Sequence, residues 1–207
     1  MPVSVAMKDR SCLVVGGGVI ALRKVESLME YDTKITVIAA EADRKLEYHA
    51  EKGKIRLENR DYKSPEAATF NLVIAATDNH DLNHQVYEDA RGAGALVNVV
   101  DDPPFCDFIF PSITRRDNLT VSISTDGRAP FMSGHLKQIL GNIFPEHWNK
   151  LMRYAAEFRL KVRARWPGEP PRQQDCYEKF LQTDWKTVLK HTSHEEILKL
   201  LDGLIEL

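Results

Sequence analysis

A chain of 207 residues with 43% hydrophobic and 28% charged side chains can bury one core and a smaller appendage, in the proportions of an ordinary soluble protein. A net charge of −2 gives no bulk attraction to nucleic acid, no apolar run approaches the roughly 20 residues of a membrane span, and Met1 to Arg10 has no signal-peptide core, so neither partner is expected and the cytoplasm is the expected location. Cys12, Cys106 and Cys176 are odd in number and scattered, which argues against a disulfide framework and against a C-x-x-C metal site; reduced thiols are expected.

In chain order, the apolar run Cys12 to Val15 meets three glycines and then an amphipathic pattern with Ala21, Leu22, Val25, Leu28 and Met29 on one face, which reads as strand, tight turn, helix. Gly16, Gly18 and Ala21 fit G-x-G-x-x-A, where the first glycine permits the turn, the second admits a pyrophosphate and the small third residue lets helix and strand pack closely. The free N–H groups of the helix start then face the phosphates. Gly16, Gly17, Gly18, Val19, Ile20 and Ala21 are therefore expected to hold a dinucleotide, against the plainer reading of a turn that only reverses the chain. Lys34 to Ala39 is a second buried strand. Glu41 just beyond it suits either the adenosine ribose hydroxyls or the cap of the next helix, and NAD is expected over NADP, although Arg44 and Lys45 leave room for a 2′-phosphate.

Lys54 to Leu57 and Asn71 to Ala76 read as the third and fourth strands, and Ala95 to Val100 as the fifth, leading into Asp101 and Asp102. Thr77 and Asp78 are expected both to cap the helix from His80 to Arg91 and to line the ligand site at the strand ends. Strands alternating with helices over about a hundred residues predict an α/β, Rossmann-like doubly wound parallel sheet. After Pro103 and Pro104 the period changes: Phe108 to Ile113 and Leu119 to Ser124 predict an antiparallel pair joined by the polar segment Thr114 to Asn118. Such a pair is marginal alone and needs cover from helices or from a second subunit.

Pro130 opens a helix to about Ile143 with Met132, Leu136, Ile139, Leu140 and Ile143 as its apolar face. Pro145 opens another, with Trp148, Leu151, Met152, Ala155, Phe158, Val162 and Trp166 at the spacing of a buried core stripe, stopped by Pro167 and the stretch from Gly168 to Pro171. Helices near Gln173 to Leu181 and Trp185 to His191 follow, and Ser193 with Glu196 predicts a capping box for the last one. The expected division is a dinucleotide-binding domain over 1–112, a small α+β dimerisation segment over 113–144 and a C-terminal helical bundle over 145–207. Charge is uneven, with 13 basic against 18 acidic side chains in 1–112 and 15 against 12 in 113–207. The run Arg153, Arg159, Lys161, Arg163 and Arg165 reads as a solvated helix face, with an anionic ligand or partner as the alternative.

Four segments, VVGGGVIALRK at 14–24, AATD at 75–78, NVVDDPPFCDFIFPS at 98–112 and ISTDGRAP at 123–130, resemble the precorrin-2 dehydrogenase family, the amino-terminal region of siroheme synthases. They occur in family order and spacing over roughly residues 8–142, and NVVD followed by FIFP is the specific part; the helical tail matches in length and type. The resemblance implies NAD-dependent oxidation of precorrin-2 to sirohydrochlorin, a homodimer built through the region after the sheet and, in some members, insertion of Fe2+ as a substrate to give siroheme. Larger members add a uroporphyrinogen methyltransferase domain; this chain ends before one begins, so that activity is expected elsewhere. Where members carry a phosphorylated Ser before the last proline, this chain has Ala129, and Arg128 also departs from the residues usual there.

Removing a hydride from a reduced macrocycle also requires removing a proton, and a carboxylate at a strand end beside the glycine turn is a sensible base. The resemblance maps that role to Asp101, while Asp102 reads more simply as a turn or cap residue around the proline pair and Asp107 is open between that reading and a role in the site. The many carboxylates of the implied substrate call for cations, with Arg115, Arg116, Arg128 and Lys137 as candidates and the helix start at Pro130 to Met132 as a source of free N–H groups. His135 is read as a structural histidine or as a contact to substrate or metal, and Asp101 and His135 are the only metal candidates in an otherwise unknown set. A reading from another class is a non-catalytic NAD-sensing module whose tail engages a partner protein.

Overall fold

A strand can bury four consecutive apolar side chains only if both of its faces are covered. In the computed structural model, which describes residues 3–206, Cys12 to Val15 lie in β1 (Ser11–Val15) and all four are buried. The described chain forms two units, one ending at Ile109 and one beginning at Phe110.

In the first unit β1 is the middle of a five-stranded parallel sheet with β2 (Lys34–Ala39), β3 (Arg56–Asn59), β4 (Leu72–Ala75) and β5 (Leu96–Val99), in the order β3-β2-β1-β4-β5. The crossovers are helices, α1 (Val19–Met29), α2 (Arg44–Glu51) and α3 (His80–Gly92), as the alternation of periods predicts. The core joins Leu13, Val15, Val73, Ala75, Val97 and Val99 of the strands to Val86, Tyr87 and Ala90 of α3. Register decides where the site falls. Val15 pairs with both Ile38 and Ala75, Ala75 with Val99, and Ile38 with Glu58, so all five strands end at one edge. The third strand lies two residues later than the expected Lys54 to Leu57, because its pairing with β2 starts at Thr36 and Arg56.

Two expected caps are also corrected. Asp43 rather than Glu41 caps α2, accepting from Lys45 N at 2.8 Å. Asn79 rather than Thr77 or Asp78 caps α3, accepting from Leu82 N at 3.1 Å. In each case the carboxylate or amide that reaches an early helix N–H sits one or two residues further along the chain than expected.

The second unit begins with the antiparallel pair β6 (Ser112–Arg116) and β7 (Leu119–Ile123). The pairing Arg116↔Leu119 leaves Asp117 and Asn118 as a two-residue turn, with Asp117 in the left-handed region at φ 54°, so Arg115 and Arg116 are strand residues and not part of a polar loop. Helices α4 (Pro130–Ile143), α5 (Trp148–Arg165), α6 (Pro170–Gln182), α7 (Trp185–His191) and α8 (His194–Glu206) follow. Pro170 and Pro171, expected among the residues that stop α5, open α6 ahead of the expected start near Gln173, since a proline's missing N–H is harmless in the first helical turn. The bundle core of α5–α8 is built on Phe180, whose ring lies 5.0 Å from Phe158 and 4.4 Å from Trp185, and the buried Trp185 indole donates to the Phe180 carbonyl at 2.7 Å. Ser193 and Glu196 form the expected capping box.

The expected apolar face of α4 is not buried in the chain. Met132, Leu136, Ile139 and Ile143 are 40%, 37%, 41% and 56% exposed, and Phe131 is 75% exposed. The helix turns its small and polar side to the strands instead: the Ser112 hydroxyl donates to Ser133 Oγ, and the Arg116 guanidinium donates to the Gly141 and Phe144 carbonyls at 3.2 and 2.6 Å. Among the described residues no helix is long and apolar enough to cross a membrane.

Candidate dinucleotide site

Each of the three glycines after β1 meets a different demand. Gly16 has φ 120°, and a Cβ there would lie 2.3 Å from the Ala76 carbonyl oxygen. Gly17 is squeezed against the chain leaving β2, where a Cβ would lie 2.0 Å from the Glu41 oxygen, and its own carbonyl accepts from Asp43 N at 2.8 Å. Gly18 begins α1 with φ −79° and open space around it. No side chain caps α1 and no acidic residue lies in its first turn, so the first N–H groups of this helix have no partner supplied by its cap. Ala21 is fully buried, which lets α1 approach the sheet. Together these features fit a pyrophosphate: backbone donors, a dipole of the right sign and no Cβ in the way.

The turn opens into a cavity of about 800 Å³ lined by Gly16, Gly17, Gly18, Val19, Ile20, Glu41, Thr77 and Asp78, so the structure brings these expected cofactor residues together, with Ala21 packed beneath them. Thr77 is locked by a residue that sequence reading missed. The buried Asn83 amide donates to the Thr77 carbonyl at 2.9 Å, and its Oδ1 accepts from the Thr77 hydroxyl at 2.7 Å and from the Thr77 N–H at 3.2 Å. A polar residue in register with Val86 and Ala90 on the core side of a helix was the available signal.

Across the carboxyl edge of the sheet the chain presents Arg60 after β3, Glu41 after β2, the glycines after β1, Thr77 and Asp78 after β4, and Asp101 after β5. At about 4.8 Å per strand the outer two stand roughly 19 Å apart, so an extended ligand centred on the glycine turn addresses both halves. Asp101 is not among the residues lining the cavity; it is exposed at the neighbouring strand end, in the left-handed region at φ 59°. The segment beyond it folds back on β5. Asp107 N donates to the Val97 carbonyl at 2.8 Å, its carboxylate accepts from Val97 N at 3.0 Å, and the Asn98 amide donates to the Phe108 carbonyl at 2.9 Å. Asp107 thus closes the sheet edge, while Asp102 stands 3.4 Å from His84 Nε2, whose ring packs on Phe105 at 4.1 Å.

Lys24 also bears on Asp101 and is a second residue that sequence reading passed over. It is half-buried on α1, and burial pushes its ammonium pKa down, with the neighbouring Cys106 and Asp101 acting in the opposite direction. The Cys106 thiol, which donates to the Val99 carbonyl at 3.1 Å, is itself pushed up by burial.

In the second unit Arg115, Arg116 and Lys137 line a cavity of about 490 Å³ beside Gly134 and Gly141. Arg116 already serves the carboxyl end of α4, whereas Arg128, in the turn after β7, and His135, on α4, are exposed and outside that lining. Among the described residues no group of three His, Cys, Asp or Glu is placed to hold a metal ion.

Comparison with known proteins agrees with this geometry. Residues 3–112 match a family model described as "Putative NAD(P)-binding". The chain is 38% identical over 206 residues to a siroheme synthase of Nitrosococcus oceani, covering all of this chain and 44% of that protein, and 37% identical over 182 residues to one of Methylococcus capsulatus, covering 88% and 38%. It therefore spans less than half the length of these relatives. The solved structure titled "SirC, precorrin-2 dehydrogenase" superposes with a TM-score of 0.80 at 23% identity, over 98% of this chain and 99% of that one, which establishes a shared fold. With more than half of its length matched by that model, the chain belongs to the NAD(P)-binding family so described, and along its whole length it is similar to siroheme synthases.

Proposed function

We propose that this chain is an NAD-dependent dehydrogenase that oxidises precorrin-2 to sirohydrochlorin in the cytoplasm. The observation that carries the reading is the order of groups along one sheet edge: an uncapped helix start at Gly18 in the middle, Glu41 on the β2 side and a carboxylate, Asp101, on the β5 side. The names of the relatives supply the substrate. In this reading the α1 N–H groups and Gly18 would hold the pyrophosphate and Glu41 the adenosine ribose hydroxyls, and NAD, when bound, would supply a hydride acceptor. Asp101 takes the proton that must leave with the hydride. Arg115, Arg116, Arg128, Lys137 and His135 remain the substrate-side candidates. Purified protein with NAD is expected to convert precorrin-2, seen as a change in its absorption spectrum together with stoichiometric reduced nicotinamide; binding of NAD without either change leaves a nucleotide-sensing module.

Insertion of Fe2+, as a substrate, is a second reading, favoured by the name siroheme synthase among the relatives. A homodimer is proposed on different grounds: the apolar stripe Met132, Leu136, Ile139, Ile143 of α4 lies uncovered beside the two-stranded sheet, and a second copy covers it at the least cost. Light scattering at micromolar concentration is expected to give twice the chain mass of 23.6 kDa, and Ile139→Asp is expected to shift it to the monomer; a monomeric wild type removes this proposal.

A further inference from the structure

We infer that the adenosine end of the cavity rejects a 2′-phosphate because Arg60 is held out of service by Glu58 and Glu66. The inference rests on reading the cavity as a dinucleotide site. Arg60 follows β3 directly and lines the cavity with Asp61 and Tyr62, on the side of the sheet where Glu41 lies. A cation there is the natural receptor for the phosphate that distinguishes NADP from NAD.

Its guanidinium has five N–H donors, and all five are taken. Nε donates to Glu58 Oε2 at 2.9 Å, Nη2 donates to the same oxygen and to Glu66 Oε1 at 2.7 Å, and Nη1 donates to Glu66 Oε2 at 2.9 Å and to the Asp61 carbonyl at 3.0 Å. The two carboxylates are fixed in turn: Glu58 Oε1 also meets Arg56 at 2.8 Å, and Glu66 Oε2 accepts from Lys63 N at 3.0 Å. The hydrogen bonds to Arg60 hold the Glu66 carboxyl below its ordinary range, so the cage stays charged at neutral pH.

Among the described residues no other cation lines the cavity. The remaining charged residues lining the cavity are Glu41, Asp43, Asp61 and Asp78, all acidic. Arg44 and Lys45, the cations that sequence leaves open for NADP, are not among the lining residues, and Asp43 is occupied in capping their helix. A 2′-phosphate, carrying about −1.5 to −2 charge at neutral pH, would enter a row of carboxylates with the lining cation, Arg60, already engaged. The ribose hydroxyls of NAD need acceptors, which the same row provides.

Calorimetric titration of the whole chain with NAD and with NADP tests this. The wild type is expected to bind NAD at least about 10-fold more tightly, the worth of one charge-assisted hydrogen bond. Glu58→Gln with Glu66→Gln is expected to raise NADP affinity at least about 10-fold with NAD affinity unchanged, because a neutral amide frees Arg60. Adding Arg60→Met to that variant is expected to remove the gain. Equal binding of the two nucleotides by the wild type overturns the inference, as does a gain in NADP affinity that survives loss of Arg60. If the double variant melts, Glu66→Gln alone is expected to move NADP affinity in the same direction, and no movement there overturns it. Binding of neither nucleotide instead strikes the dinucleotide reading itself.

Discussion

Gly17→Ala is expected to remove dinucleotide binding and to lower the melting temperature, whereas Gly18→Asp, three heavy atoms bulkier and charged, is expected to weaken binding at least about 10-fold and leave the melting temperature in place. The contrast follows from what a side chain meets at each position. At Gly17 a Cβ would stand 2.0 Å from the Glu41 carbonyl oxygen and 2.8 Å from Ala39 Cβ. The obstacle is largely backbone at the end of a central strand, so the turn itself must move. Overpacking of this kind costs about 1–3 kcal/mol or more, and about 4–8 °C is lost per kcal/mol in a unit of this size. At Gly18 the space is open, φ is −79°, and the residue is the N-cap of α1, a position where Asp is among the preferred residues. The substituted carboxylate would then satisfy the helix N–H groups that the pyrophosphate needs and repel the ligand, weakening NAD by at least about 10-fold. Thermal melting followed by circular dichroism, alongside calorimetry with NAD, reads both effects. Unaltered NAD affinity in folded Gly18→Asp takes the glycine turn out of the site, and a Gly17→Ala protein as stable as wild type contradicts the close approach of Glu41.

How much of this was legible in the sequence depended on whether the determinant was local. The run Cys12 to Val15 with its glycines, the helix from Pro130 to Ile143 and the box at Ser193 and Glu196 are written in adjacent residues, and the structure has each of them. The cap of α3 was placed at Thr77 and Asp78, whereas the side chain that accepts from a helix N–H is that of Asn79. The period of α4 was read correctly, but not what it faces, because a stripe of apolar residues carries no label saying whether its cover belongs to the same chain. Asn83, Lys24 and the pairing of Arg60 with Glu66 depend on elements brought together by folding. In sequence they are an ordinary amide, an ordinary lysine and one of many arginines.

Asp101→Asn is expected to abolish dehydrogenation while NAD binding is retained. Asp101 lies in the left-handed region at φ 59°, which Asn adopts as readily as Asp, so the turn after β5 and the strap formed by Asp107 and Phe108 should keep their places. The residue is outside the lining of the cavity at the glycine turn, so the pyrophosphate and ribose contacts proposed there do not involve it. What the substitution removes is the ability to accept a proton near neutral pH, since an amide of the same size can hydrogen-bond but cannot act as a base. Loss of a general base lowers the rate about 10²- to 10⁴-fold, roughly 3–5 kcal/mol of barrier, well outside the scatter of a turnover assay. The same variant separates the two proposed activities. Inserting a metal requires two pyrrole protons to leave the macrocycle, and if one carboxylate serves both reactions, Fe2+ insertion into supplied sirohydrochlorin falls together with NAD-dependent oxidation of precorrin-2. If oxidation alone fails, the chelating step uses another group and His135 is the next to substitute. Oxidation at the wild-type rate by Asp101→Asn removes Asp101 as the base and leaves Asp102, paired with His84 at 3.4 Å, as the carboxylate to examine at that strand end.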